Sequence, residues 1–300
     1  MKLQQLYSYT RKAIDHYQLI ESGDKIAIGI SGGKDSLTLL YALSGLRRFY
    51  PQKFDLVAVT VDLGYENFDL TAVSKLCHDL DVSYHIVNTE IAKILFEERN
   101  EKPTCSLCAK MRKGALNQAI KELGCNKVAY AHHMDDVIET AFLSMIFVGR
   151  FYVFPPKTYM EDSDLTIIRP LIYVSEAEVK GFRNKYQLPV VKNPCPMDGN
   201  TKREYVKKLI QQLNIDNPGV KTKLFHAIQN GNIQGGAGGR AGSHRGRIQH
   251  PYSNLRNQWR LHALRHFILR LHDPEHSGTG QRRSIPQPET SRNAAGLPLH

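Results

Sequence analysis

Three short stretches of this sequence combine residue types that can do chemistry. The first is Ser31-Gly32-Gly33-Lys34-Asp35-Ser36. Two glycines let a backbone turn tightly and point its N–H groups at an anion. A following helix adds the partial positive charge of its N-terminus. Ser31 and Ser36 can donate hydroxyl hydrogen bonds, and Lys34 brings a full charge. The six residues therefore read as a phosphate cradle. They are not a Walker A loop, which needs four residues between its first glycine and the Gly-Lys pair. The second stretch is His132-His133-Met134-Asp135-Asp136, two imidazoles beside two carboxylates. The third is Cys105-Ser106-Leu107-Cys108, with a lone Cys195 between prolines far downstream.

A nucleotide brings Mg²⁺, which prefers oxygen ligands. Asp35, Asp62, Asp135 and Asp136 all fall where predicted strands end. Asp135 is the first candidate for Mg²⁺ and Asp62 the second, while Asp136 serves equally well as a helix N-cap. His132 and His133 are expected either to contact phosphate or to be hydrogen-bond partners within the site. Two thiolates at CxxC spacing can grip one metal centre, and a helix N-terminus with Lys110, Arg112 and Lys113 nearby favours thiolate. Cys105, Cys108 and Cys195 leave three chemistries open: a persulfide relay, a zinc site with a fourth ligand, or a 4Fe–4S cluster with one iron lacking a protein ligand. Cys77 lies on the apolar face of a predicted helix and reads as core. Cys125 reads as structural.

The elements that position these residues alternate. Lys25–Ile30, Phe54–Val61, Val82–Val87 and Lys127–Ala131 read as strands. Helical patterns run over 36–48, 70–80, 108–123 and 135–148. Such a β-α-β-α order predicts a doubly wound α/β fold, a parallel sheet with helices on both faces. Ligands then bind beyond the carboxyl ends of the strands, where the cradle, Asp62 and the His-His-Met-Asp-Asp segment all fall. Residues 151–173 are apolar, broken by prolines and end in Ile167–Ile172, and this region is expected to add an edge strand. Helices at 175–187, 203–214 and 218–230 follow. The expected division is a nucleotide-binding unit over 1–174, a helical extension over 175–234 that carries Cys195, and a tail over 235–300.

The whole chain has 300 residues, 41% of them hydrophobic and 23% charged, enough to bury a core. Its net charge of +11 is uneven. Residues 1–234 hold 21 Lys, 9 Arg and 26 acids, a balance of +4, while 235–300 hold 10 Arg, 3 acids and no Lys, a balance of +7. A nucleic-acid reading from total charge would thus rest on the tail. The tail's Gly, Arg and His bias predicts disorder or a non-native segment. Leu261, Leu264, Ile268 and Leu271 keep helical spacing among Arg260, Arg265 and Arg270, which allows a basic amphipathic helix. Apolar runs stay below the ~18 residues that cross a bilayer, and the N-terminus lacks a signal-peptide pattern, so a cytoplasmic protein with no membrane role is expected. Five cysteines at uneven spacing do not suggest a disulfide framework.

The cradle resembles the PP-loop of enzymes that cleave ATP between its α and β phosphates. With the 132–136 segment, Cys105, Cys108, Cys195, Pro155-Pro156-Lys157 and Arg169-Pro170-Leu171, residues 1–230 are similar to the tRNA 2-thiocytidine synthetases. The resemblance implies ATP and Mg²⁺, a tRNA substrate, adenylation of a cytidine at anticodon-loop position 32, and replacement of its oxygen by sulfur. It favours the 4Fe–4S cluster on the three cysteines and a sulfur donor such as a cysteine desulfurase, and allows a homodimer. Lys113 is expected to steady negative charge near the cluster or the α-phosphate, or else to belong to a solvated face. Lys110, Arg112, Arg150, Lys157, Lys202, Arg203, Lys207 and Lys208 are further candidate phosphate contacts. Where family members often carry a second CxxC, this chain has Cys195 followed by Pro196-Met197-Asp198, which weakens a persulfide relay there. Lysidine or thiouridine synthesis shares the loop, though lysidine synthesis needs no cysteine triad. A cluster- or zinc-bearing RNA binder without catalysis would not need an intact Lys34, Asp35 and Ser36.

Overall fold

The computed structural model describes residues 1–98, 105–192, 194, 195 and 202–231, without the side chains of 97, 98, 105 and 106. The tail, including the helical pattern at 261–271, lies outside the described residues, as do Pro196–Asp198. In chain order the elements are α1 (Leu3–Tyr17), β1 (Asp24–Gly29), α2 (Lys34–Arg47), β2 (Phe54–Asp62), α3 (Thr71–Asp79), β3 (Ser83–Asn88) and a turn α4 (Ile91–Lys93). A π-helical turn at Ile94–Glu98 follows. Then come α5 (Cys105–Glu122), β4 (Lys127–Ala129), α6 (Met134–Val148), β5 (Lys157–Met160), β6 (Leu165–Ile168), α7 (Glu176–Lys185), α8 (Lys202–Asp216) and α9 (Val220–Gln229).

The strands form one six-stranded sheet in the order β3-β2-β1-β4-β6-β5. All neighbours pair in parallel except β5 and β6. Both faces are covered, so the central strands read as nearly continuous apolar runs. Alternation divides them. Ile26, Ile28, Leu56 and Ala58 face a core built with α1, α2, α3 and α6. Ala27, Val57, Val59 and Val128 face the other way, onto Leu116 and Ile120 of α5. Phe182 of α7, Val206 and Ile210 of α8 and Phe225 of α9 join the first core.

The region 151–173 adds the expected edge strand, which is β5 (Lys157–Met160). Ile167 and Ile168 at its end belong to β6, which lies inside the sheet between β4 and β5. A hairpin through Asp164, at φ 48°, returns β5 to the edge, where Tyr159 is 59% exposed. At the amino edge of the sheet Lys127 reaches Asp24 at 2.7 Å, with both side chains buried. Lys157 pairs with Glu21 at 3.0 Å and donates to Gln18 O. Lys157 is thereby tied to the α1–β1 connection.

Candidate active site

Strand β1 lies between β2, reached through α2, and β4, reached from the far side. This reversal opens a crevice at the carboxyl ends of β1 and β4. The cradle leaves β1 there. Gly32 takes φ +77°, and a Cβ on it would stand 3.0 Å from Val191 Cβ, so only glycine fits. Val191 N–H also donates to Gly32 O at 3.0 Å. Ser36 closes the loop from the first turn of α2. Its hydroxyl accepts from Ser31 N–H at 3.2 Å and donates to Gly33 O at 3.0 Å. Gly33 is the N-cap of α2 and offers no side-chain cap. The first N–H groups of that helix are therefore directed at the crevice. Lys34 Nζ is held 2.9 Å from Asp35 Oδ2 and 3.4 Å from Glu176 Oε1.

The acids divide by environment. Asp35 Oδ1 is buried with no hydrogen-bond partner and lies 3.6 Å from His133 Nε2. An orphaned carboxylate oxygen beside a phosphate cradle fits a divalent cation. Asp62 ends β2 half-exposed, its Oδ1 accepting from Gly64 N–H at 2.9 Å. Asp135, the first candidate for Mg²⁺, is 4% exposed. Its Oδ1 meets Lys221 Nζ at 2.7 Å and its Oδ2 accepts from Glu176 N–H at 2.7 Å. Both oxygens are occupied in tying α6 to α7 and α9. The cation role falls more naturally to Asp35 and Asp62.

The paired histidines are hydrogen-bond partners within the site. His133 is the N-cap of α6: its Nδ1 accepts from Asp136 N–H at 3.3 Å, while Asp136 Oδ2 accepts from His133 N–H at 2.9 Å. Asp136 thus closes the cap from the third helical position instead of being the cap. His132 packs on Phe154 and accepts from Arg169 Nε through Nδ1 at 3.2 Å. Burial, then the Arg169 charge, pushes its pKa down to about 3. A neutral imidazole brings no positive charge to a phosphate. Two of the basic candidates are also accounted for by ion pairs. Arg203 binds Asp136 and Glu139 at 3.1 and 2.9 Å, and Lys207 binds Glu176 at 2.8 Å. Glu176 and Lys221 carried no signal in the sequence, because they meet the site only through folding of the C-terminal helices.

The cysteines are sorted by helix polarity. α5 leads into β4, which is parallel to β1, so α5 runs against the strands and starts at their carboxyl edge. Cys105 opens α5, with its side chain outside the described atoms, and Cys108 follows one turn later, half-buried. Cys195 is half-buried, four residues beyond Val191. Because Val191 is bonded to Gly32, Cys195 lies within about 15 Å of that contact, measured along the chain at ~3.8 Å per residue. Cys77 is fully buried, which pushes its thiol up to about 12, and burial also raises the Cys125 thiol. Both are packed in cores, as expected, and are excluded as ligands.

Residues 3–213 match the PP-loop domain family. A tRNA-cytidine(32) 2-sulfurtransferase from Geobacter sulfurreducens is 40% identical over 226 residues, 74% of this chain and 87% of that protein. Its counterpart from Geobacter metallireducens is 39% identical over 222 residues, 73% of this chain and 86% of that one. Among solved structures, the U34-tRNA thiolase NcsA from Methanococcus maripaludis with its 4Fe–4S cluster superposes with a TM-score of 0.61 at 26% identity, covering 76% of this chain and 77% of that one. A cradle at the β1–β4 crevice, a CxxC helix starting at the same edge and relatives matched along most of their length lead to one assignment: this chain belongs to the tRNA-cytidine(32) 2-sulfurtransferase family of PP-loop proteins.

Proposed function

We propose that this protein is an ATP-dependent tRNA sulfurtransferase that converts cytidine 32 to 2-thiocytidine. The observation that carries this reading is the Val191–Gly32 hydrogen bond, which ties the segment bearing Cys195 to the phosphate cradle. In the first step the cytidine O2 attacks the α-phosphorus of ATP. The bond to the bridging oxygen breaks, and pyrophosphate leaves into the cradle. Backbone N–H groups at 31–34, the hydroxyls of Ser31 and Ser36, and Lys34 stabilise its charge. Asp35 and Asp62 hold the Mg²⁺ that accompanies it. In the second step a sulfur nucleophile attacks C2, the C2–O bond breaks, and AMP departs with that oxygen.

Cys105, Cys108 and Cys195 suit a 4Fe–4S cluster as a donor set, with positions 105 and 108 on the opening turn of α5 and the two other cysteines buried in cores. When bound, the cluster supplies an iron position without a protein ligand, where inorganic sulfur can be presented. The remaining roles follow the same reading: Lys113 steadies negative charge between the thiols and the cradle, and a protein of the cysteine desulfurase kind renews the sulfur. Residues 1–174 supply the nucleotide site, and α7, α8 and α9 of the 175–234 extension cover it. The enzyme acts in the cytoplasm, with a homodimer as its assembly. Among the described residues no helix is long and apolar enough to cross a membrane.

Mass spectrometry of tRNA nucleosides from cells lacking the gene tests the reaction. 2-Thiocytidine should vanish and return with the intact gene; its persistence would defeat the assignment. Anaerobically purified protein should contain about four iron and four sulfide per chain. Stoichiometric zinc without iron would remove the cluster.

A further inference from the structure

A second concentration of positive charge lies at the carboxyl edge, on the face covered by α5. Arg169 follows β6 directly and is 7% exposed. Its Nε donates to His132 Nδ1, and its Nη1 to Pro155 O and Thr158 Oγ1. The guanidinium carbon lies 4.8 Å from the centre of the Phe154 ring. None of these partners is an anion, and among the described residues no carboxylate pairs with Arg169. Burying a full charge with no counter-ion costs several kcal/mol, so buried charges are otherwise paired.

More cations converge on it. Leu116 of α5 and Tyr130 both pack on Gly29, within 3.7 Å of where its Cβ would be. Arg112 and Lys113 stand one helical turn before Leu116, ~5 Å nearer the carboxyl edge. The charges of Arg169 and Arg112 both reach Tyr130. Partial desolvation, then Arg169, lowers the Lys113 pKa; Asp162 acts on Lys113 in the opposite sense but makes no ion pair with Arg169. One further turn along α5 is Cys108. On the other side, His132 adjoins His133, whose Nε2 is 3.6 Å from Asp35 of the cradle. The cations therefore lie between the thiols and the pyrophosphate cradle.

We propose that Arg169, together with Lys113, binds the phosphate of AMP as it leaves C2 in the second step. The inference rests on the thiolation reading given above. When sulfur donates its electron pair to C2, the electrons of the C2–O bond pass to the phosphate oxygen. AMP then carries one more negative charge than the esterified group did. A guanidinium held by a neutral imidazole, a carbonyl and a hydroxyl is already oriented and needs no reorganisation to meet that charge. A tRNA backbone phosphate is the other source of the same chemistry. It would be met by exposed side chains, not by one at 7% exposure.

The test uses the full chain and two probes, AMP and pyrophosphate, titrated separately by calorimetry. Arg169→Gln should weaken AMP at least ~10-fold, the value of one charge-assisted hydrogen bond, and leave pyrophosphate within ~2-fold. Lys113→Gln should act in the same direction, and Arg169→Lys should restore part of the loss. In single turnover with tRNA, Arg169→Gln should release pyrophosphate normally, accumulate adenylated tRNA and form 2-thiocytidine slowly. Unchanged AMP affinity in both glutamine variants overturns the proposal. So does an equal loss for pyrophosphate, which would make these cations part of the cradle. A loss of tRNA affinity with AMP binding intact would assign them to the RNA backbone instead. If Arg169→Gln fails to fold, Lys113→Gln decides. If AMP binding depends on Arg169 but the native enzyme forms no thiolated base, the subsite stands and the reaction reading fails.

Discussion

At the scale of single residues, environment sets chemistry more than type does. Cys77, Cys108, Cys125 and Cys195 are all thiols, yet only Cys108 and Cys195 are half-exposed at the carboxyl edge. Cys195→Ala should therefore abolish 2-thiocytidine formation and lower bound iron, while ATP binding, measured by calorimetry, stays within ~2-fold because the cradle is built elsewhere. Retained thiolation would exclude Cys195. His132 supports a second expectation. Burial and Arg169 hold its folded pKa at about 3, below the ordinary 6.5. The unfolded chain then binds a proton between those values that the folded chain does not. The histidine's contribution to stability is complete above about pH 6.5 and is lost as pH falls toward 3. His132→Gln keeps an acceptor for Arg169 but removes the titration. Urea unfolding at pH 5, 6 and 7 should show a stability slope shallower than native by up to ~1.4 kcal/mol per pH unit. An unchanged slope would mean that the imidazole titrates alike in the folded and unfolded chain.

At the scale of elements, positions come from polarity and register. α5 presents CxxC at the right edge only because it precedes a parallel strand and so must run back along the sheet. That much was legible from the β-α-β-α order, as was the cradle, whose Gly-Gly-Lys-Asp-Ser follows an apolar run. Other features were not legible, for physical reasons. Alternation shows that a strand is half-buried but not which neighbour it pairs with, so β5, not β6, took the edge. Helix capping depends on backbone geometry; a histidine N-cap at His133 breaks the usual preference for Ser, Thr, Asp or Asn. The most informative element contact joins residues far apart in the chain, Gly32 and Val191. Gly32→Ala sets a Cβ against Val191 at 3.0 Å in a backbone region that L residues rarely adopt. It should cost about 1–3 kcal/mol and reduce both ATP binding and thiolation, since one contact orders the cradle and the Cys195 segment. The double variant Gly32→Ala, Val191→Gly takes away the Val191 Cβ and should relieve the steric part, recovering stability relative to the Val191→Gly background by thermal melt. No recovery would show that the strain is purely backbone.

At the scale of the molecule, the C-terminal helices are an electrostatic cover for the nucleotide site. α8 brings Arg203 and Lys207, and α9 brings Lys221, to acids at the starts of α6 and α7. Without them, Asp135, Asp136, Glu139 and Glu176 would put negative charge beside a cradle meant for phosphate. Glu176 is the junction. Lys207, Lys34 and Lys180 approach Oε1 at 2.8, 3.4 and 3.3 Å. Burial alone would raise its pKa, but the Lys207 hydrogen bond and then the charges of Lys207, Lys34 and Lys180 bring it down to about 2. Its contribution to stability is complete above the unfolded value of 4.5 and is lost as pH falls through about 2. Because Glu176 also holds Lys34, an incoming phosphate must compete with it for that ammonium. Glu176→Gln removes the competitor and leaves Lys207 underpaired. At neutral pH the variant should be less stable by about 1.5–3 kcal/mol. Its KM for ATP should fall several-fold, because Lys34 then answers mainly to the nucleotide. Thermal melts with and without ATP read both effects. An unstable variant whose KM is unchanged would show that Glu176 only joins helices, and that Lys34 turns to phosphate without regard to it.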